Sequence, residues 1–113
     1  MITVEQFRYM SATLNADVLH EKLKNTRIPG YMYRGIVDYI TKGMPPGGFL
    51  MAILENDLRE AVYVADDNNG QIIPDYVRFL YNNAPSACWG NTERVMNWLN
   101  AGIDSEQLRR QGA

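Results

Sequence analysis

The stretch "KGMPPGGFLMAILENDLREA", Lys42 to Ala61, decides how the chain is divided. Wound as a single α-helix from Pro46, it would bury Leu50, Leu54, Ala61 and Val64 on one face and set Asp57 in the middle of that face. Three arrangements resolve the conflict. In the first, Asn56 closes one helix and Asp57 caps the next, with Glu60 completing an Asp-x-x-Glu capping box. In the second, the helix is continuous and Asp57 is half of a buried ion pair. In the third, Asp57 is a functional carboxylate that reads a ligand or acts as a base.

Outward from this stretch the apolar periodicity is helical and the breaks are marked. Toward the N-terminus, Thr3 and Gln6 form a capping box that opens a helix burying Val4, Phe7, Met10 and Leu14. Either Asp17 caps a short second helix anchored by Leu19 and Leu23, or one longer helix runs through Asn15. "RIPGY" (Arg27–Tyr31) forces extended backbone, because a residue before proline is pushed out of the α region. A helix from Tyr31 to Lys42 follows, with Met32, Tyr33, Ile36, Tyr39 and Ile40 on one side, Arg34 and Asp38 paired on the other, and Gly43 as its stop. Toward the C-terminus, Ile72–Asn83 is apolar around most of its circumference, with Asp75, Arg78 and Asn82 left for water and Pro74 in the first turn. This segment reads as the central helix. Asn91 caps a short helix that buries Val95, Trp98 and Leu99 and stops at Gly102, and "DSEQ" from Asp104 starts a polar last helix that frays.

The chain has 113 residues, one domain by length, and a chain of that size buries roughly 65% of its unfolded surface. Hydrophobic residues at 46% and charged ones at 21% exclude wholesale disorder. With 13 acidic and 11 basic residues interspersed, no clustered cations are available for duplex nucleic acid. The lone Cys88 cannot form an internal disulfide, and "MITVEQFRYM" lacks the order of a secretion signal; both point to the cytoplasm. "FLMAIL" is far shorter than the roughly 20 apolar residues a bilayer needs.

Chemistry-bearing patterns are sparse. "DDNNG" (Asp66–Gly70) resembles a calcium loop, but with Gly70 at the sixth position the first ligand falls on Ala65 and the last on Tyr76, so it reads as a turn with Asx hydrogen bonds. His20 and Cys88 form no ligand set, and no metal or cofactor is expected. Ser11, Ser86 and Ser105 sit in no nucleophile elbow. Gly47 and Gly48 are different. At a helix start they present backbone N–H groups without obstructing side chains, either as a stiff connector or as a seat for an anion. Arg34 and Arg59 would neutralise such an anion, and Trp89, in a Gly-flanked loop, would stack on a ring or plug the core.

The order "IPGYMYRGIVDYITKGMPPGGFLMAILENDLREA", "ADDNN" and "FLYNNAPSACWGN", then a short Trp-containing helix, resembles small accessory proteins encoded by tailed bacteriophages and prophages. The resemblance spans Ile28 to Leu99 and leaves out the first 27 residues and the tail. It implies a phage or prophage origin and action in the cytoplasm of the infected cell. That group has little assigned function, so no catalytic residue carries over. Pro46, Gly47, Asn56, Asp57 and Trp89 are the matching positions, suited to fixing turns and caps as much as to binding.

These readings combine into an all-α fold: a compact bundle of five to seven short helices joined by Pro/Gly turns, one domain over 1–113, with a core over 28–100 and a tail over 103–113. The expected function is a non-enzymatic binding protein, a counter-defence factor that sequesters a phosphate-bearing ligand such as a nucleotide signal at Gly47, Gly48, Arg34, Arg59 and Trp89. The alternative is a protein-interaction module that engages a host or phage protein through exposed Tyr9, Tyr31 or Tyr63. A third class, a hydrolase using Asp57 or the Asp66–Asp67 pair with Mg²⁺, lacks recognisable ligand spacing. The tyrosine and methionine content also suggests self-association into a homo-oligomer.

Overall fold

Thr3 opens the first helix as its side chain suggests. In the computed structural model, which describes residues 1–112, its hydroxyl accepts from Gln6 N–H at 3.0 Å while Gln6 Oε1 accepts from Thr3 N–H at 2.9 Å. The described residues hold eight α-helices, two 3₁₀ turns and no strand. In chain order the helices are α1 (Val4–Ala12), α2 (Ala16–Leu23), α3 (Tyr33–Lys42), α4 (Gly48–Leu54), α5 (Leu58–Val64), α6 (Asp67–Gly70), α7 (Ile73–Asn83) and α8 (Thr92–Gln111). The 3₁₀ turns, Gly30–Met32 and Ser86–Cys88, precede α3 and α8. None of the helices is long and apolar enough to cross a membrane.

The core forms around α3, which buries Ile36, Val37, Tyr39 and Ile40. Two polar anchors fix its surroundings. Trp98 of α8, fully buried, donates from Nε1 to the Tyr39 carbonyl at 2.8 Å and packs against Phe7 of α1 with ring centroids 4.6 Å apart. The Tyr39 hydroxyl donates to the Cys88 carbonyl at 2.6 Å, so two aromatic side chains are buried without an unmet polar atom. Burial pushes the Cys88 thiol up to about 12, which makes it an inert core residue.

Several expectations need correction. There are eight α-helices among the described residues rather than five to seven, partly because "DDNNG" forms its own helical turn, α6, capped by Asp66. Asn15, not Asp17, caps α2, accepting from the N–H groups of Asp17 and Val18 at 2.8 and 3.2 Å. α7 is not the central helix. It exposes Val77 and Tyr81, whereas Asp75, expected in water, is buried. Its carboxylate accepts from Arg27 N–H at 3.0 Å and from Arg27 Nη2 at 2.7 Å, tying the Arg27–Pro29 segment to α7.

The largest departure is α8, which neither stops at Gly102 nor restarts at Asp104. Gly102 is there for close approach. A Cβ built on it would lie 2.6 Å from the Lys42 carbonyl oxygen and 2.9 Å from Gly43 Cα. Gly43, at φ +67°, ends α3 in the left-handed region and meets Gly102 from the other side. The two glycines allow the helix backbones to touch where α8 crosses the end of α3. Beyond the crossing, Arg8 of α1 donates to Ser105 Oγ at 3.1 Å, and Glu106 pairs with Arg109 and Arg110 along the helix surface. The segment expected to fray is helical through Gln111, and Ala113 lies outside the described residues.

Candidate functional site

The α4–α5 junction settles the position of Asp57. Asn56 adopts φ +61°, its N–H donates to the Ile53 carbonyl at 3.0 Å, and Asp57 N–H donates to the Ala52 carbonyl at 2.9 Å. That pair of bonds is a Schellman ending for α4. Asp57 then caps α5, its Oδ1 accepting from Glu60 N–H at 3.1 Å. The reciprocal half of the expected capping box is absent because the Schellman bond already uses Asp57 N–H. Asp57 is exposed, so the buried-pair reading is set aside, and Asn56 and Glu60 are likewise at the surface.

This break changes what α5 presents. Ala61 is its one buried residue, set against α4, while Leu58, Val62 and Tyr63 are 64%, 59% and 85% exposed. The surface they form with Asp57, Arg59 and Glu60 borders a depression of about 700 Å³. Its walls come from α5 alone, so it is an open face and not an enclosed pocket.

Beside it lies a cleft of about 350 Å³, bounded by Gly47 and Gly48 at the start of α4, Gly35 of α3, Val64 at the end of α5, Tyr31, and Asp66 and Asn69 of the α6 turn. Gly47 and Gly48 are exposed, a Cβ on either would meet nothing within 4 Å, and no side chain caps this end of α4. A hydrogen-bonded chain forms one wall. Tyr31 donates to Asp66 Oδ2 at 2.5 Å, Asp66 Oδ1 accepts from Asn69 N–H at 2.7 Å, and Tyr76 donates to Asn69 Oδ1 at 2.5 Å. Phe49 stands edge-on to Tyr76 with centroids 5.2 Å apart, which holds the start of α4 against this wall. The Tyr31 hydroxyl, followed by the Asn69 N–H, holds the Asp66 carboxyl below its ordinary range, and the same bond raises the Tyr31 phenol.

The structure does not gather all the expected ligand-binding residues here. Gly47 and Gly48 line the cleft; Arg34, Arg59 and Trp89 do not. Arg34 pairs with Asp38 at 3.6 Å, and Arg59 borders the outer face of α5. Trp89 is partly buried against the core, in a loop tied to α4 by Gly90 N–H donating to the Leu54 carbonyl at 2.7 Å. Of the tyrosines singled out as anchors, Tyr9, Tyr31 and Tyr63 are all exposed, on three separate elements. Asp66 is engaged by Tyr31 and Asn69, and no group of three or more His, Cys, Asp or Glu among the described residues is placed to hold a metal ion.

Sequence reasoning missed the Tyr31–Asp66–Asn69–Tyr76 chain. Asp66 at the cap of "DDNNG" was a usable signal for the local bond to Asn69. Nothing in the sequence marks the pairing with Tyr31, 35 residues away. No protein-family model, curated protein or solved structure matches the chain.

Proposed function

We propose that this chain is a non-enzymatic binding protein that engages a protein partner through the outer face of α5. The carrying observation is that a seven-residue helix buries only Ala61 and turns Leu58, Val62 and Tyr63 to solvent. Valine is a mediocre helix former, so helix propensity does not account for it at an exposed position. Covering such side chains contributes about 1.5–3 kcal/mol each when burial is complete. Tyrosine is also a frequent interface anchor, and Arg59 and Glu60 supply the polar rim that surrounds such anchors.

The reading in which Gly47 and Gly48 seat a phosphate keeps its open amides. It lacks the cations, because the charged residue on the cleft wall is Asp66, which repels an anion. The resemblance to phage and prophage accessory proteins supports a bacterial cytoplasm as the setting and a host or phage protein as the partner.

A photo-crosslinking residue at Val62, with one at exposed Tyr81 on α7 as control, tests the proposal in extract of the bacterial host. The expected result is an adduct of one discrete mass from position 62 only, lost on Leu58→Asp. Equal labelling from both positions overturns the α5 reading. An adduct of twice the 12.9 kDa chain overturns the separate partner and supports homo-oligomerisation through this face.

A further inference from the structure

We infer that the cleft beside α5 receives a positively charged side chain, an arginine or lysine, from the protein partner. The identity of the donor rests on the α5 reading; the chemistry of the cleft does not. Asp66 is ionised, and no Lys, Arg or His forms a salt bridge with it among the described residues. Its donors are all neutral: Tyr31 Oη at 2.5 Å, Asn69 N–H at 2.7 Å and Asn69 Nδ2 at 3.2 Å, with the Asn68 N–H also turned toward it. They orient the exposed carboxylate and leave its charge without a cation.

The remaining walls suit the stem and head of a basic side chain. The Tyr31 ring, 62% exposed, is held by its hydroxyl beside the carboxylate, so a cation at Asp66 also lies near an aromatic ring. Met32, Phe49 and Val64 give an apolar lining for the aliphatic stem. Gly35, Gly47 and Gly48 keep the entrance clear, since a Cβ on any of them would meet nothing within 4 Å. A divalent metal ion does not fit this wall, because it takes several oxygen ligands and no second carboxylate lines the cleft. Val64, the last residue of α5, lines the cleft and directly follows exposed Tyr63, which places the cleft at the end of the helix that carries Leu58, Val62 and Tyr63.

The test is a titration of the full chain followed by amide NMR. Its probes are N-acetyl-arginine methylamide, the uncharged isostere N-acetyl-citrulline methylamide, and inorganic phosphate. The arginine probe is expected to give saturable shifts at Tyr31, Gly48, Asp66 and Asn69, with citrulline at least tenfold weaker. Asp66→Asn removes the charge but keeps a good helix cap, so it should lower affinity at least fivefold with the fold intact. Val64→Lys, which brings a resident cation to the rim, should do the same without touching the hydrogen-bonded chain. Equal binding of citrulline, unchanged binding by both variants, or saturation at Gly47 and Gly48 by phosphate alone overturns the inference. Those results leave the α5 crosslink unaffected, and a failed crosslink leaves the titration standing, so the two proposals fail separately.

Discussion

Asn56 stands in the left-handed region, the sole residue other than glycine to do so among those described. For most L-residues that conformation costs roughly 1–2 kcal/mol, and asparagine tolerates it better than alanine. Asn56→Ala should therefore destabilise the fold by about 1 kcal/mol, and Asn56→Gly should be neutral or stabilising by up to about 1 kcal/mol. Asp57→Ala should cost about 1 kcal/mol by removing the cap of α5. Urea denaturation measures all three. A continuous helix through this segment would reverse the sign of Asn56→Ala, because alanine would then improve helix propensity. The junction was legible in the sequence because an aspartate fell on an apolar face directly after an asparagine. The missing reciprocal bond from Glu60 was not legible, since it depends on Asp57 N–H already being held by Ala52.

At the scale of elements, the sequence marks where helices begin more reliably than what a glycine within one does. Thr3 and Asn91 cap α1 and α8 as their side chains predict, each satisfying a donor that the first turn leaves open. Gly102 has the signature of a stop, but its role depends on Gly43, which lies opposite and far away in the chain. α8 runs through Gly102, so helix propensity and the close contact predict opposite outcomes for Gly102→Ala. On propensity alone, alanine in a helix interior would be favoured by about 1 kcal/mol. With a Cβ 2.6 Å from the Lys42 carbonyl, the variant should instead lose about 1–3 kcal/mol to overpacking. Thermal unfolding followed by far-UV circular dichroism gives the sign. Gly102→Ala should shift the midpoint downward, and an upward shift would remove the crossing of α3 and α8 as the reason for this glycine. α7 carries the same lesson in polar form: Asp75 looked like part of a solvent strip because Arg27, its partner, lies 48 residues earlier.

Over the whole molecule, long-range polar pairs place what local pattern could not, and they make stability depend on pH. Half of the candidate cleft, the glycines at 47 and 48, was visible from composition and spacing. The other half, Tyr31 with Asp66, appears only once α3, α4 and α6 are packed. Asp75 joins the Arg27 segment to α7 in the same way, and the Arg27 side chain and backbone N–H hold its carboxyl below the ordinary range. Because the folded value is depressed, this contribution is present above the unfolded value of about 3.9 and is lost as pH falls through the folded one. Asp75→Asn retains an acceptor but loses the charge, which should cost about 1–3 kcal/mol near neutral pH, the range for a hydrogen bond to an ionised group. Below the folded value, wild-type Asp75 is itself protonated, and the two proteins should converge. Urea midpoints from neutral pH to about pH 2 measure the difference, which should be constant down to about pH 5 and then shrink. A gap that persists unchanged into acid would mean that Asp75 acts through its shape and not its charge, and the Arg27 pair would then not be what fastens this segment to α7.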